Sequence, residues 1–183
     1  MRRVVVVGAS GSGKSVLARE LATRLAVRHV DLDALHWGPN LTATPTEILR
    51  PRVEAAIAGD GWTVSGNYSA LRDTIWPRAD TLIWLDYPMP IVMWRVLRRT
   101  VRRCITKELL WSDNLETWRK SFFDRDSIIV WAWTTWRKPR RDYPKLFRSP
   151  AYRGIGKYRF TSPQQTEDWL NRVEFASANA LDR

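Results

Sequence analysis

The run RVVVV at 3–7 is apolar, β-branched and non-alternating, which predicts a short strand buried inside a parallel sheet. From Lys14 the period changes: Leu17, Leu21 and Leu25 recur every fourth residue and mark one face of a helix. HVDLDAL at 29–35 alternates apolar and acidic residues, so it predicts a strand with one less covered face, near a sheet edge. TPTE at 44–47 has the spacing of a capping box with Pro45 at the first helical position. The helix it opens should run to Ala58 and stop at Gly59, with Pro51 kinking or splitting it. WTVS at 62–65 and TLIWL at 81–85 predict the third and fourth strands.

A helix should follow from Pro90 to Arg103, then a polar, irregular stretch at 105–120. SIIVWAWTTW at 127–136 is apolar nearly all round and predicts a buried or partner-covered helix. Residues 137–157, rich in basic residues, Pro and Tyr, read as a long loop. KYRF at 157–160 is a fifth short strand. SPQQ at 162–165 is a second capping box, followed by Trp169, Leu170 and Val173 on the apolar face of a last helix. Strands alternating with helices predict an α/β fold, a parallel sheet with helices on both faces. No repeat or linker interrupts the pattern, so residues 1–183 read as a single domain.

Composition narrows the function classes. With 183 residues and 44% hydrophobic content, the chain can bury a proper core. No stretch approaches the roughly 20 apolar residues of a membrane span. The N-terminus has no leader pattern, and Cys104 is the one cysteine, so a reducing cytoplasm is the expected setting. His29 and His36, the two histidines, stand near no cysteine cluster, which argues against a zinc-type site. The net charge of +11 is concentrated: residues 91–160 hold 18 Lys and Arg against 6 Asp and Glu. Arginine dominates, and its planar fork suits phosphate oxygens. The expected partner of this segment is therefore a polyanion, either a nucleoside triphosphate or nucleic acid.

GASGSGKS at 8–15 fits the spacing G-x-x-x-x-G-K-S. Glycines there let successive backbone N–H groups turn inward as a nest for anionic oxygens, and the helix opening at Gly13–Lys14 adds its positive end. Lys14 should reach the β- and γ-phosphates, and the Ser15 hydroxyl should hold Mg²⁺. The expected nucleotide contacts are Gly8, Ser10, Gly11, Ser12, Gly13, Lys14, Ser15 and Val16, with ATP as the nucleotide. Asp86 closes the fourth strand at its carboxyl end, where ligands of parallel sheets bind, and is a candidate second contact to the magnesium. Asp31 and Asp33, two apart on a strand, would share a face. Asp33, nearer the carboxyl end, could accept a proton from an attacking hydroxyl or help hold the metal.

These stretches resemble a known family. VVVVGASGSGKSVLARELA, HVDLDALHW, WTVSGNYS, ADTLIWLDYP followed by WRVLRR, and DRDSIIVWAW are similar to those of adenylate-kinase-like P-loop kinases, and most of all to the bacterial DNA topology modulation proteins. The resemblance implies a five-stranded parallel sheet in order 2-3-1-4-5, an acceptor-binding region between strands 2 and 3, and a lid or insert at about 104–157. It implies that Arg95 packs on the nucleotide base and Arg99 contacts phosphate. Gly66, Asn67 and Arg72, together with Asp33, would line the acceptor site, with Arg72 gripping an acceptor phosphate. Arg119 and Arg125 would be lid arginines that close on the transferring group. The acceptor-site sequence and lid pattern of adenylate kinases are absent, HWGPNLTATP standing in the first place, so the acceptor is left open.

The expected activity is phosphoryl transfer from ATP to a small acceptor, by a monomer or homodimer. The alternative is a nucleotide-controlled, nucleic-acid-binding regulator. Arginines interleave with Trp111, Trp118, Trp131, Trp133, Trp136 and Tyr152, a mixture that can bind single strands, though no known nucleic-acid module is visible.

Overall fold

The structure is a computed structural model that describes residues 1–39, 42–106 and 133–173. Its strands are β1 (Arg3–Gly8), β2 (Arg28–Asp31), β3 (Trp62–Ser65), β4 (Thr81–Leu85) and β5 (Gly156–Phe160). They form one sheet in order β2-β3-β1-β4-β5, every neighbouring pair parallel. The order matches expectation, as do the positions of β1, β3, β4 and β5.

The valines of β1 explain its central place. Val4 and Val6 pack to one side with Leu17, Leu21, Ile83, Leu85, Val92 and Val96. Val5 and Val7 pack to the other with Leu49, Val53, Val64, Leu82 and Trp84. All four are at most 2% exposed. Each such burial is worth about 1.5–3 kcal/mol against exposure, so β1 has no solvent face to offer. On the first side lie α1 (Lys14–Leu25), α5 (Met89–Thr106) and α7 (Pro163–Leu170); on the second lie α3 (Thr46–Ala56), the short α4 (Arg72–Ile75) and α6 (Arg137–Arg148).

Four expectations are corrected. The extended run at 29–35 ends at Asp31, and α2 (Leu32–His36) begins at once. The Asp31 carboxylate accepts from the Asp33 N–H at 3.1 Å and caps this turn, an alternative to continuing the sheet ladder. Asp33 is therefore on a helix, not on a strand face shared with Asp31. The helix expected from 44–47 starts at Thr46, with no side-chain cap, because the Thr44 hydroxyl donates to the Leu35 carbonyl instead. It ends at Ala56 and runs through Pro51, with Leu49 and Val53 buried on either side.

The largest correction is α6, where a loop was expected. Tyr143, Leu146 and Phe147 have helical i, i+3, i+4 spacing and pack into the core, Tyr143 at 5.5 Å and Phe147 at 6.0 Å from the Trp84 ring. Pro139 falls in the first turn, where its missing N–H is not needed. At the far end, the Ser162 hydroxyl accepts from the Gln165 N–H at 3.2 Å, as expected of the second box. The Gln165 side chain reaches back to the Thr161 N–H at 3.0 Å. Of the apolar run at 127–136, residues 127–132 lie outside the described residues.

Candidate functional site

The sheet presents its carboxyl ends to one edge, and the loop at 8–15 occupies the middle of it. Gly11 and Gly13 have φ of 80° and 95°, left-handed values that favour glycine. A Cβ on Gly11 would run into the Val96 side chain of α5, so the loop is pressed against that helix. Ser12 is buried, and its hydroxyl has no hydrogen-bond partner among the described residues. An unpaired buried hydroxyl beside two left-handed glycines fits a loop shaped to receive an oxygen-rich anion. Ser10 and Gly13 are partly buried, and Gly8 is buried. Val16, expected among the nucleotide contacts, is 71% exposed on the outer side of α1.

Lys14 folds back to donate to the Ala9 carbonyl at 3.0 Å. Burial holds its pKa down to about 8, against an ordinary 10.5. Asp33 opposes that shift, Arg99 adds to it, and Asp31 opposes it. Asp33, Arg99 and Asp31 are thus near enough for their charges to act on Lys14. Ser15 accepts from the Ser65 hydroxyl at 3.2 Å. Arg95, one helical turn before Arg99, donates to the Ser12 carbonyl at 3.1 Å and lies 5.2 Å from the Tyr87 ring centroid. Arg95 thus reaches the loop from α5, and the charge of Arg99, on the same helix, acts on Lys14.

Beside Asn67 lies a small, narrow cleft, walled on its inner side by the buried Val5, Val7, Leu32, Val64 and Ile75 and elsewhere by Gly66, Asn67, Tyr68, Arg72, Trp76 and Tyr143. Three of the four expected acceptor residues, Gly66, Asn67 and Arg72, are among its walls. The fourth, Asp33, accepts a 2.7 Å hydrogen bond from the Tyr68 hydroxyl. Burial and the neighbouring Asp33 carboxylate push the Tyr68 phenol well above its ordinary value, so it stays a donor. The Arg72 guanidinium lies 5.1 Å from the Trp76 ring centroid. Asn67 ties the cleft to the loop: its Oδ1 accepts from the Gly8 N–H at 3.1 Å, and its Nδ2 donates to the Gly8 carbonyl.

Asp86 is buried at the end of β4, with both carboxylate oxygens occupied. Oδ1 accepts from Arg140 Nε at 2.5 Å, and Oδ2 from Arg159 Nε and Nη2 at 2.9 and 2.6 Å. A magnesium ion would find a hydroxyl oxygen at Ser15, but no open carboxylate oxygen at Asp86; its fit to the expected pair of ligands is half met. Arg119 and Arg125 lie outside the described residues.

Sequence reasoning missed Tyr68, Ser65, Tyr143, Arg140 and Arg159. Tyr68 follows directly on the expected Asn67, and its place on the acceptor side was the available signal. Arg140 and Arg159 had no local signal, since what matters is their meeting at Asp86 across 54 and 73 residues of chain.

No protein family's sequence profile and no curated protein sequence matches the chain. Solved structures do. A gluconokinase from Sinorhizobium meliloti 1021 superposes with a TM-score of 0.52 at 15% identity, covering 94% of this chain and 89% of that one. A shikimate kinase from Acinetobacter baumannii, in complex with shikimate, superposes with a TM-score of 0.51 at 15% identity, covering 94% and 90%. At such identity what is shared is the architecture: the chain has the α/β fold of the P-loop kinases.

Proposed function

We propose that the protein is an ATP-dependent phosphotransferase that moves the γ-phosphoryl group to a hydroxyl of a small acceptor. One observation carries this reading. The loop that carries Lys14 starts at Gly8, which Asn67 brackets with two hydrogen bonds, and the next residue, Tyr68, holds the Asp33 carboxylate, so the phosphate-type loop and the acceptor-side carboxylate are built into one connected site. Phosphoryl transfer needs charge neutralisation and alignment at one point, with little covalent help from the protein.

In this reading the loop holds the triphosphate, with Lys14 on its β- and γ-oxygens and Arg99 beside it. Arg95 lies against the base. Ser15 is the protein hydroxyl that would hold the magnesium ion, whose charge offsets that of the phosphates when bound. The acceptor sits against Arg72 and Asp33. Its hydroxyl faces Asp33, which takes the proton as the oxygen bonds to the γ-phosphorus. The bond from that phosphorus to the β,γ-bridging oxygen breaks, and ADP leaves. Tyr68, a permanent donor, keeps the Asp33 carboxylate oriented toward the hydroxyl.

Arg72, held over the Trp76 ring, suits a small acceptor that carries an anionic group. Nucleotides and nucleosides follow from the sequence resemblance, and small hydroxy acids from the gluconokinase and shikimate kinase likeness. The finer kinship, with adenylate-kinase-like proteins and DNA topology modulation proteins, rests on the sequence stretches alone. Cytoplasmic location suits an ATP user with a free, buried Cys104, and no described helix is long and apolar enough to cross a membrane. The test is ADP release with a panel of nucleotides, nucleosides and hydroxy acids. At least one should raise the rate at least about tenfold over ATP alone, and Lys14→Ala should abolish the increase. A rate that no acceptor changes would overturn the assignment.

A further inference from the structure

We infer that Asp86 positions a pair of arginines, Arg140 and Arg159, to meet the terminal phosphate of the nucleotide, and that it is not a metal ligand. The inference rests on the reading above and deepens it.

The pair is built from two elements far apart in sequence. Leu85 stands opposite Gly8 in the β1–β4 register, so Asp86 is the next residue beyond the strand, beside the start of the loop. Its N–H is spent on the Phe160 carbonyl at 2.8 Å. Its side chain is 2% exposed, and each oxygen faces a guanidinium. Arg140 also donates from Nη2 to the Asp86 carbonyl at 3.2 Å. A divalent ion brought to this carboxylate would have to displace a guanidinium and then sit beside its charge.

Each arginine is also held from behind by a ring. Arg140 lies 4.0 Å from the Trp136 centroid and Arg159 lies 4.7 Å from that of Trp84. Trp136 is fixed in turn by its Nε1–H donating to the Tyr87 carbonyl at 3.0 Å. One turn along α6, the Tyr143 hydroxyl donates to Asn67 Oδ1 at 3.2 Å, and Asn67 brackets Gly8. The helix carrying Arg140 is thus pinned to the end of β4 and to the start of the loop. One carboxylate against two guanidiniums leaves a net positive charge. The side chains of Arg140 and Arg159 are 36% and 55% exposed, and Nη1 of each is outside the carboxylate pairing. A fixed pair of forks with one surplus charge takes an anionic group with several oxygens, such as a phosphate.

The test is nucleotide binding by calorimetry, with a non-hydrolysable ATP analogue and with ADP, at several magnesium concentrations. The parent should prefer the triphosphate. Asp86→Asn should weaken the analogue about tenfold or more while changing ADP less than about twofold. Arg140→Lys, which keeps charge but loses the fork, should do the same, and the double variant should be no worse than either single one. The magnesium concentration for half-maximal analogue binding should stay within about twofold of the parent. A roughly tenfold rise in that concentration with the triphosphate preference kept would make Asp86 a metal ligand and overturn the inference. Equal weakening of ADP and analogue would reduce the cluster to a structural clasp and overturn it too. If Asp86→Asn does not fold, Arg140→Lys and Arg159→Lys decide by the same two criteria. A parent that binds neither nucleotide sinks the kinase reading as well; a parent that binds both, with variants that match it, sinks this inference alone.

Discussion

Lys14 has to be charged to hold phosphate, yet burial lowers its pKa to about 8. A bound triphosphate brings negative charge and raises that value again. Nucleotide affinity should therefore weaken as pH rises through about 8, and binding at pH 8.5 should take up protons. Calorimetry at that pH in two buffers of different ionisation enthalpy measures the uptake, which Lys14→Ala should erase. The same shift fixes a sign for stability. The lowered value means that a charged Lys14 costs the native state most below about pH 8, a cost that fades between about 8 and 10.5. Lys14→Ala should accordingly melt no lower than the parent at pH 7, while phosphoryl transfer falls by at least about a hundredfold. Asp33→Asn tests the other side of the site. It keeps shape and removes the proton acceptor, so kcat should fall about 10²–10⁴-fold with the affinity for an ATP analogue nearly unchanged. Matching losses in both would move Asp33 out of the acceptor role.

At the scale of elements, β1, β3 and β4 were legible because each is a short, largely apolar run with its own boundary, while β2 and β5 showed as short mixed runs between helical segments. The valines of β1 admit no other placement. The loop at 8–15 was legible because its spacing has a mechanism. What failed to show was where local signals conflict. Asp31 looks like one beat of a strand alternation, but its carboxylate is better used capping Leu32–His36. In α6 two prolines and a crowd of basic residues hid the Tyr143, Leu146, Phe147 spacing, whose value depends on the Trp84 ring of β4 and the Trp76 ring of the turn before that strand. That contact makes α6 part of the core. Tyr143→Ala should cost about 3–5 kcal/mol in denaturant unfolding, as large aromatic truncations do. Tyr143→Phe keeps the packing and loses only the bond to Asn67, for about 1 kcal/mol. Ser162→Ala removes a cap at the opposite end of the chain and should cost about 1 kcal/mol while leaving turnover unchanged.

For the whole molecule, the basic excess has a place as well as a size. Part of it faces the loop, through Arg95 and Arg99; part is held at Asp86, through Arg140 and Arg159. A remainder, including Arg137, Lys138, Arg141, Lys145 and Arg148, is exposed along α6. Such a surface should bind nucleic acid only weakly and without sequence preference, with affinity that falls steeply as salt rises. The chemistry proposed for the site is narrower: the terminal phosphoryl group of ATP leaves for an organic hydroxyl. The most direct measurement follows that group: ATP labelled in the γ-phosphoryl position, magnesium, and the acceptor panel, with products separated and counted. The account predicts label in an organic phosphate, dependent on one acceptor class and absent with Lys14→Ala. Label found only in inorganic phosphate, whatever the acceptor, would make the protein a hydrolase and contradict it.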